Sequence, residues 1–236
     1  MTVFSEANLN GRGAWTTYGK ANGSLYYAFL PPAPLDGSNP NGAMPDLWVN
    51  AVGYGIVGIK RLLNEQGNDL PLTPKWDRKA HDAAVAFQIR AEIPQDGYVG
   101  PVTMEWLLRP TMLSIAVEHK VHPRWLYGVC HAESGFDPGA QGWDNPPDSG
   151  LAQFNVANGT VTMEEAYRPR RALALLAKRW LTALDKYVSD DRKLTLDCAI
   201  AQHRSPAAAD AWFATGHGSG SIVEYVATVR SFAQEW

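Results

Sequence analysis

Apolar residues recur every three or four positions through the second half of the chain. Between about residues 168 and 187 they fall on one face of an α-helix: Leu173, Leu176, Ala177, Trp180, Leu181 and Leu184. The same period predicts further helices near residues 196–203, 207–214 and 221–234. Helices with one apolar face must bury it against neighbouring elements. The pattern therefore predicts a mainly α fold, in which any sheet is a minor part.

Length limits the number of domains, and net charge limits the kinds of partner that the protein can bind. The 236 residues allow one large domain or two smaller ones, and 45% hydrophobic with 19% charged residues is typical of a folded protein. A net charge of -3 disfavours bulk electrostatic binding to nucleic acid or to an anionic membrane. No stretch reaches the ~18 apolar residues of a membrane span, and the first residues lack a signal-peptide pattern. We expect a soluble monomer made in the cytoplasm, with no membrane partner.

Cysteine and histidine usage gives no indication of a cofactor. Cys130 and Cys198 are too few for a disulfide framework, and both fall in apolar helical stretches. They are either two small buried hydrophobic residues or a single disulfide, and the sequence leaves both open. Six His and two Cys show neither a spaced set of metal ligands nor an H-E-x-x-H run. We therefore expect no metal and no cofactor.

Changes in composition divide the chain into three segments. Residues 1–46 are rich in Gly, Asn and Pro turn signals and predict an irregular N-terminal extension. Residues 47–110 predict three helices, the second beginning after Trp76-Asp77 and the third, a short one, after Gly100-Pro101. Residues 111–236 form the last region, where one helix is expected to end near residue 122 and the next to begin near Pro123.

Glu133 is the strongest candidate for chemistry. Leu126, Val129 and Glu133 are three and four residues apart and share one helix face. Because that face is otherwise apolar, we expect a desolvated carboxyl group with a raised pKa, which suits a general acid. The alternative is a glutamate at a helix end that pairs with an arginine or turns to solvent.

The residues around Glu133 carry a family resemblance. The chain reads H-A-E-S-G-F-D-P-G-A over residues 131–140, followed by G-L-A-Q over residues 150–153. This pattern resembles the active-site segment of soluble lytic transglycosylases and goose-type lysozymes. The resemblance implies a lysozyme-like catalytic domain over residues 111–236, with a short β-hairpin after Glu133. It also implies that Glu133 is the acid for cleavage of bacterial peptidoglycan.

The resemblance extends to substrate-binding residues. It implies that Ser134, Ser149 and Gln153 contact substrate and that Gly150 allows close packing against the catalytic helix. Tyr225 lies in a late Y-V element that is similar to one whose tyrosine approaches the catalytic glutamate. His203 stands where such enzymes carry an aromatic and an amide; it either lines the cleft or is a helix-end histidine without a task.

The second segment resembles a small three-helix peptidoglycan-binding module. The resemblance rests on the F-Q pair, the later D-G-x-V-G-x-x-T run and an aromatic residue after it: Phe87, Gln88, Asp96, Gly97, Gly100, Thr103 and Trp106. It implies wall binding by residues 47–110. For the apolar members, including Phe87, packing in a small helical core is the expectation from the residues alone.

The loop beside Glu133 leaves two reactions open. A transglycosylase needs one acid, because the substrate's own acetamido group and six-hydroxyl complete the reaction. A hydrolase with inversion needs a second carboxylate to activate water. Asp144 and Asp148 are the candidates, or else they make turns. Asn155 stands where goose-type enzymes can place an aspartate.

These observations together predict an enzyme that cleaves the β-1,4 bond between N-acetylmuramic acid and N-acetylglucosamine. The layout resembles a bacteriophage endolysin, held in the host cytoplasm until lysis, or a virion-associated lysin. A noncatalytic wall-binding or virion protein is the rival from another class.

Overall fold

The structure is a computed structural model and describes residues 54–97, 99–140 and 148–236. The predicted irregular extension over residues 1–46 lies outside the described residues, and so does Asp144. The expectation of a mainly helical protein is confirmed, with helices separated by short loops and one small sheet in the described part.

The elements follow one another along the chain with a single hairpin between helices. The helices are α1 (Tyr54–Glu65), α2 (Arg78–Arg90), α3 (Pro101–His119), α4 (Pro123–Ser134), α5 (Met163–Ala166), α6 (Pro169–Lys186), α7 (Arg192–Arg204), α8 (Pro206–Thr215) and α9 (Ser221–Phe232). The strands β1 (Asp148–Ser149) and β2 (Phe154–Asn155) lie between α4 and α5 and pair antiparallel.

One predicted boundary is wrong. A short helix after Pro101 and a separate helix before residue 122 were expected, but α3 runs unbroken over 19 residues with Pro110 inside it. Proline removes one amide donor and its ring crowds the carbonyl four residues back, which disfavours a helix interior. The buried residues on both sides of Pro110, Leu107, Leu108 and Met112, hold the helix together by packing.

The chain divides into two compact units. The first contains the described residues up to 110 and those between 134 and 169, and the second contains residues 111–133 and 170–236. The division into a binding module and a catalytic domain at residue 111 stays a prediction.

In the first unit α1 packs against α2, and a buried ion pair anchors them. Lys60 on α1 has a fully buried side chain, and its Nζ donates to Asp77 Oδ2 at 3.2 Å and to Thr73 Oγ1 at 3.1 Å. Asp77 is also the N-cap of α2, where it accepts a bond from the Ala80 amide. Burial alone would raise the pKa of Asp77, but the Ala80 amide and Lys60 outweigh it and lower the pKa.

In the second unit α7 packs against both α8 and α9. Asp197 on α7 is 3% exposed and accepts from Lys193 at 2.7 Å and from Arg230 of α9 at 2.5 Å. A buried carboxylate is stable only when it is paired and hydrogen-bonded, so this pair of cations fixes α9 against α7. None of the described helices is both long and apolar enough to cross a membrane.

Candidate active site

The helix α4 carries Glu133 near its C-terminal end. Leu126 and Val129 are 1% and 0% exposed, so the apolar face predicted for this helix is buried. Gly128 lies on the same helix, and a Cβ there would stand 2.6 Å from the carbonyl oxygen of Val229 on α9. Only glycine allows this approach of α4 to α9, which sets the position of Glu133 in the second unit.

Two basic side chains flank the Glu133 carboxylate. The Glu133 side chain is 5% exposed, with His203 Nε2 3.9 Å from one carboxylate oxygen and Arg204 Nη1 3.7 Å from the other. Both distances exceed hydrogen-bond length, so Arg204 makes a loose ion pair with Glu133 and the His203 ring lies nearby. His203 is also buried, whereas Arg204 is more than half exposed. Glu133 is therefore largely removed from water, as the first hypothesis has it, and also lies near an arginine, as the alternative has it.

Tyr225 on α9 completes this cluster. Its hydroxyl is buried and makes no hydrogen bond of ordinary length and angle. Burial, and then the nearby Glu133 carboxylate, raise the pKa of Tyr225 well above 10, while Arg204 acts in the opposite direction. The Arg204 guanidinium lies 5.9 Å from the centre of the Tyr225 ring. Tyr225 is therefore a neutral hydroxyl beside the carboxylate, able to donate a proton in a hydrogen bond.

The two cysteines do not form a disulfide. Cys130 and Cys198 are both buried, as expected for small hydrophobic residues. Burial, and then the Glu133 carboxylate, raise the pKa of Cys130 far above its usual range. The Cys130 thiol, one turn before Glu133, is therefore protonated and is not a nucleophile.

The first unit contains the turn that follows Glu133 in the chain. The Ser134 hydroxyl is fully buried and donates to the Leu151 carbonyl at 2.8 Å. Phe136 is buried with φ of 70°, an unusual conformation for a bulky residue. Asp137 is also buried, and one of its carboxylate oxygens accepts from the Gly139 amide at 2.8 Å. The predicted substrate contact of Ser134 stays a prediction, but its hydroxyl is already used to hold this turn.

The hairpin is held by Gly150 and Gln153. Gly150 has φ of 78°, and a Cβ there would lie 2.0 Å from the Ala166 carbonyl oxygen, so close packing requires glycine. The contact is with α5, whereas the expectation was the helix that carries Glu133. The Gln153 side chain donates through Nε2 to the carbonyls of Ala140 at 3.1 Å and Gly150 at 2.9 Å. The Gln153 amide thus supports the loop, and Oε1 is the atom left for a substrate hydroxyl.

The register of the hairpin places two residues of chemical interest side by side. Asp148 on β1 is directly opposite Asn155 on β2, and Ser149 is opposite Phe154. One carboxylate oxygen of Asp148 is buried and has no hydrogen-bond partner among the described residues. The turn-forming role considered for Asp148 stays a prediction. Ser149 is fully buried, so its predicted substrate contact is also untested.

The residues of the predicted binding module form one buried network. Gln88 is fully buried; its Nε2 donates to Asp96 at 2.8 Å and to Thr103 at 3.1 Å, and its Oε1 accepts from the Gly97 amide at 2.8 Å. The F-Q and D-G-x-V-G-x-x-T runs thus meet in space through Gln88.

The remaining residues of this module divide into core and surface. Phe87 is buried, as expected for a core residue, and the Gly100 carbonyl begins α3 by accepting from Met104. Trp106 is 41% exposed beside Arg109.

The structure thus groups the predicted residues by unit. Glu133, His203 and Tyr225 come together in the second unit, while Ser134, Ser149, Gln153 and Asp148 lie in the first. Sequence reasoning missed Arg204 and Gly128. Arg204 directly follows His203 at the end of α7, so a charge count along that helix end would have indicated it.

Among the described residues no three His, Cys, Asp or Glu side chains are grouped to hold a metal ion. No protein-family model matches this chain, and no curated protein matches it significantly.

Proposed function

We propose that this protein is a peptidoglycan-cleaving glycosidase with Glu133 as the general acid. The observation that carries the proposal is the cluster in the second unit: a 5% exposed carboxyl group at the end of an apolar helix, with the Tyr225 hydroxyl and the His203 ring beside it. A carboxyl group held out of bulk water on an apolar helix face is the setting in which glycosidases place a general acid. The resemblance of residues 131–153 supplies the substrate class.

In the proposed reaction the Glu133 carboxyl transfers its proton to the oxygen of the β-1,4 bond as the bond to the N-acetylmuramic acid anomeric carbon breaks. The leaving N-acetylglucosamine takes that proton as its four-hydroxyl. In a transglycosylase the six-hydroxyl of the muramic acid then attacks the anomeric carbon, and its proton returns to Glu133. Tyr225 is placed to donate a hydrogen bond to the Glu133 carboxylate between these steps.

The first test is clearance of bacterial cell walls by wild type and Glu133→Gln. Glutamine keeps the size of the side chain but has no proton to transfer, so we expect clearance to fall by about 10²- to 10⁴-fold. Glu118→Gln is the matched control, because Glu118 is 56% exposed and pairs with Arg170 on the surface. Circular dichroism checks that both variants fold. If Glu133→Gln and wild type clear cell walls equally, the catalytic proposal is wrong and the protein is a noncatalytic wall-binding or virion protein.

A hydrolytic muramidase is the second candidate, and the hairpin register supports it. Residues directly opposite in an antiparallel pair project on the same face, about 5 Å apart. Asp148 therefore supplies, from the neighbouring strand, a carboxylate beside the position where Asn155 replaces a possible aspartate.

The end groups of the released muropeptides distinguish the two reactions by mass spectrometry. Anhydro ends indicate a transglycosylase, and reducing ends indicate a hydrolase. For a hydrolase, Asp148→Asn should abolish release of reducing ends, and the swapped variant Asp148→Asn with Asn155→Asp should restore part of it. For a transglycosylase, neither change should alter the anhydro product.

The first unit supports the wall-binding part of the proposal. The Gln88 network reproduces in space the two motifs on which the module resemblance rests. A binding module joined to a catalytic domain raises the local concentration of an insoluble substrate. A lytic role for a bacteriophage, with peptidoglycan as the partner, fits this pairing.

A further inference from the structure

A pocket of about 330 Å³ opens in the second unit on residues that the proposed chemistry does not use. Its walls come from the first turn of α4 with Arg124 and Trp125, the end of α6 with Leu184, and the first turn of α7 with Arg192. Sites for small ligands are concave, largely apolar and equipped with a few polar groups, and this pocket has those properties.

The charged side chains that line this pocket are both arginines. Arg124 and Arg192 are exposed, and neither makes an ion pair with a described residue. The acid next to Arg192 in sequence is Asp191, and its carboxylate already accepts the amides of Lys193 and Leu194 as the N-cap of α7. Two guanidinium groups without a protein carboxylate favour an anion, and a planar carboxylate fits them best.

Trp125 does not offer a platform for a sugar ring. Its ring stacks on Trp180 with centroids 5.4 Å apart, and the Arg124 guanidinium lies 4.6 Å from its centre. An indole and a guanidinium therefore already occupy its π surface. The other walls present the aliphatic side chains of Leu184 and Val188, of which Val188 is 73% exposed. These surfaces suit small apolar groups next to the anion.

We propose that this pocket binds the terminal carboxylate of a short peptide whose last side chains are small and apolar. The carboxylate lies between Arg124 and Arg192, and the peptide's methyl groups contact Leu184 and Val188. In peptidoglycan such a ligand is a stem peptide that ends in alanine, and that identification rests on the proposed function. The binding of a peptide carboxylate in this pocket does not depend on the proposed function.

Titration of ¹⁵N-labelled Glu133→Gln protein with D-alanyl-D-alanine tests the proposal, with the Trp125 indole N–H as the signal. We expect saturable shifts at millimolar dipeptide. Arg192→Gln and Arg124→Gln should each raise the dissociation constant at least about tenfold, the usual effect of losing a hydrogen bond to a charged group. Lys178→Gln is the matched control, because Lys178 is exposed on α6 and does not line the pocket.

Two further ligands identify the chemistry. The dipeptide with an amidated C-terminus should not bind, because it lacks the negative charge. Inorganic phosphate should compete only weakly. Equal shifts with the amidated dipeptide, shifts with phosphate but not with the dipeptide, or no shift at all would each overturn the proposal. Because the titration uses Glu133→Gln, its outcome is separate from the wall-clearance assay that tests catalysis.

Discussion

Replacement of Asp137 by asparagine should stabilise the protein at neutral pH and not at acidic pH. The Asp137 side chain is buried; one oxygen accepts from the Gly139 amide at 2.8 Å, and the other has no hydrogen-bond partner among the described residues. Burial raises the pKa of Asp137 to about 7, and the Gly139 bond offsets this only in part. The folded protein thus keeps a proton on Asp137 over a range in which the unfolded chain has lost it.

The direction in which stability changes with pH follows from the different protonation of Asp137 in the folded and unfolded states. Between the ordinary pKa of 3.8 and the folded value of about 7, the native state binds more protons than the unfolded state. The free energy of unfolding therefore falls as pH rises through this window and levels off above it. At about 1.4 kcal/mol for each pKa unit, the loss is about 4 kcal/mol in total. Asparagine stays neutral and keeps an oxygen for Gly139, so it avoids the loss.

Urea unfolding at several pH values from about 5 to about 8 measures this effect. We expect the free energy of unfolding of Asp137→Asn, taken relative to wild type, to increase from about pH 5 to about pH 7 and to level off above it. Asp190→Asn provides the control, since Asp190 is an exposed aspartate. If the curves of wild type and Asp137→Asn stay parallel, Asp137 does not hold the proton and the argument from burial fails.

Three other substitutions test individual contacts. Gly128→Ala should lower the free energy of unfolding by about 1–3 kcal/mol, because its Cβ would meet the Val229 carbonyl oxygen at 2.6 Å; thermal denaturation measures this. In the first unit, Asp77→Ala should cost about 3–5 kcal/mol in urea unfolding, because it leaves the buried charge of Lys60 without a carboxylate. Tyr225→Phe should slow wall clearance about tenfold or more, because it removes the hydroxyl beside the Glu133 carboxylate.

The helices could be predicted because each carries its own local signals. The apolar period of α6 and the proline at the start of α4 placed both helices within a few residues of their observed bounds. Pro110 led to the wrong prediction for α3. The low helix propensity of proline can be seen in the local sequence, whereas the burial of Leu107 and Met112 depends on the rest of the fold. Tertiary packing outweighed the cost of proline there.

The candidate site could be predicted only in part. Glu133 stands out in sequence because an acid on an apolar helix face is unusual, and its burial was deduced from spacing alone. Arg204 and Tyr225 are 71 and 92 positions later in the chain, and no local period relates them to Glu133. Their approach depends on how α7 and α9 pack, and Gly128 permits that packing through a contact with Val229 that no single segment encodes.

The hairpin shows why sequence position and chemical position differ. Asp148 and Asn155 are seven residues apart, yet the β1–β2 register makes them direct neighbours on one face. A carboxylate on that face can therefore come from either strand, and in the proposed hydrolase Asp148 takes the place of an aspartate at position 155. A slip of one residue would turn Asp148 to the opposite face. Buried Phe154 and the left-handed Gly150 oppose such a slip, so packing, and not the acid itself, sets the register.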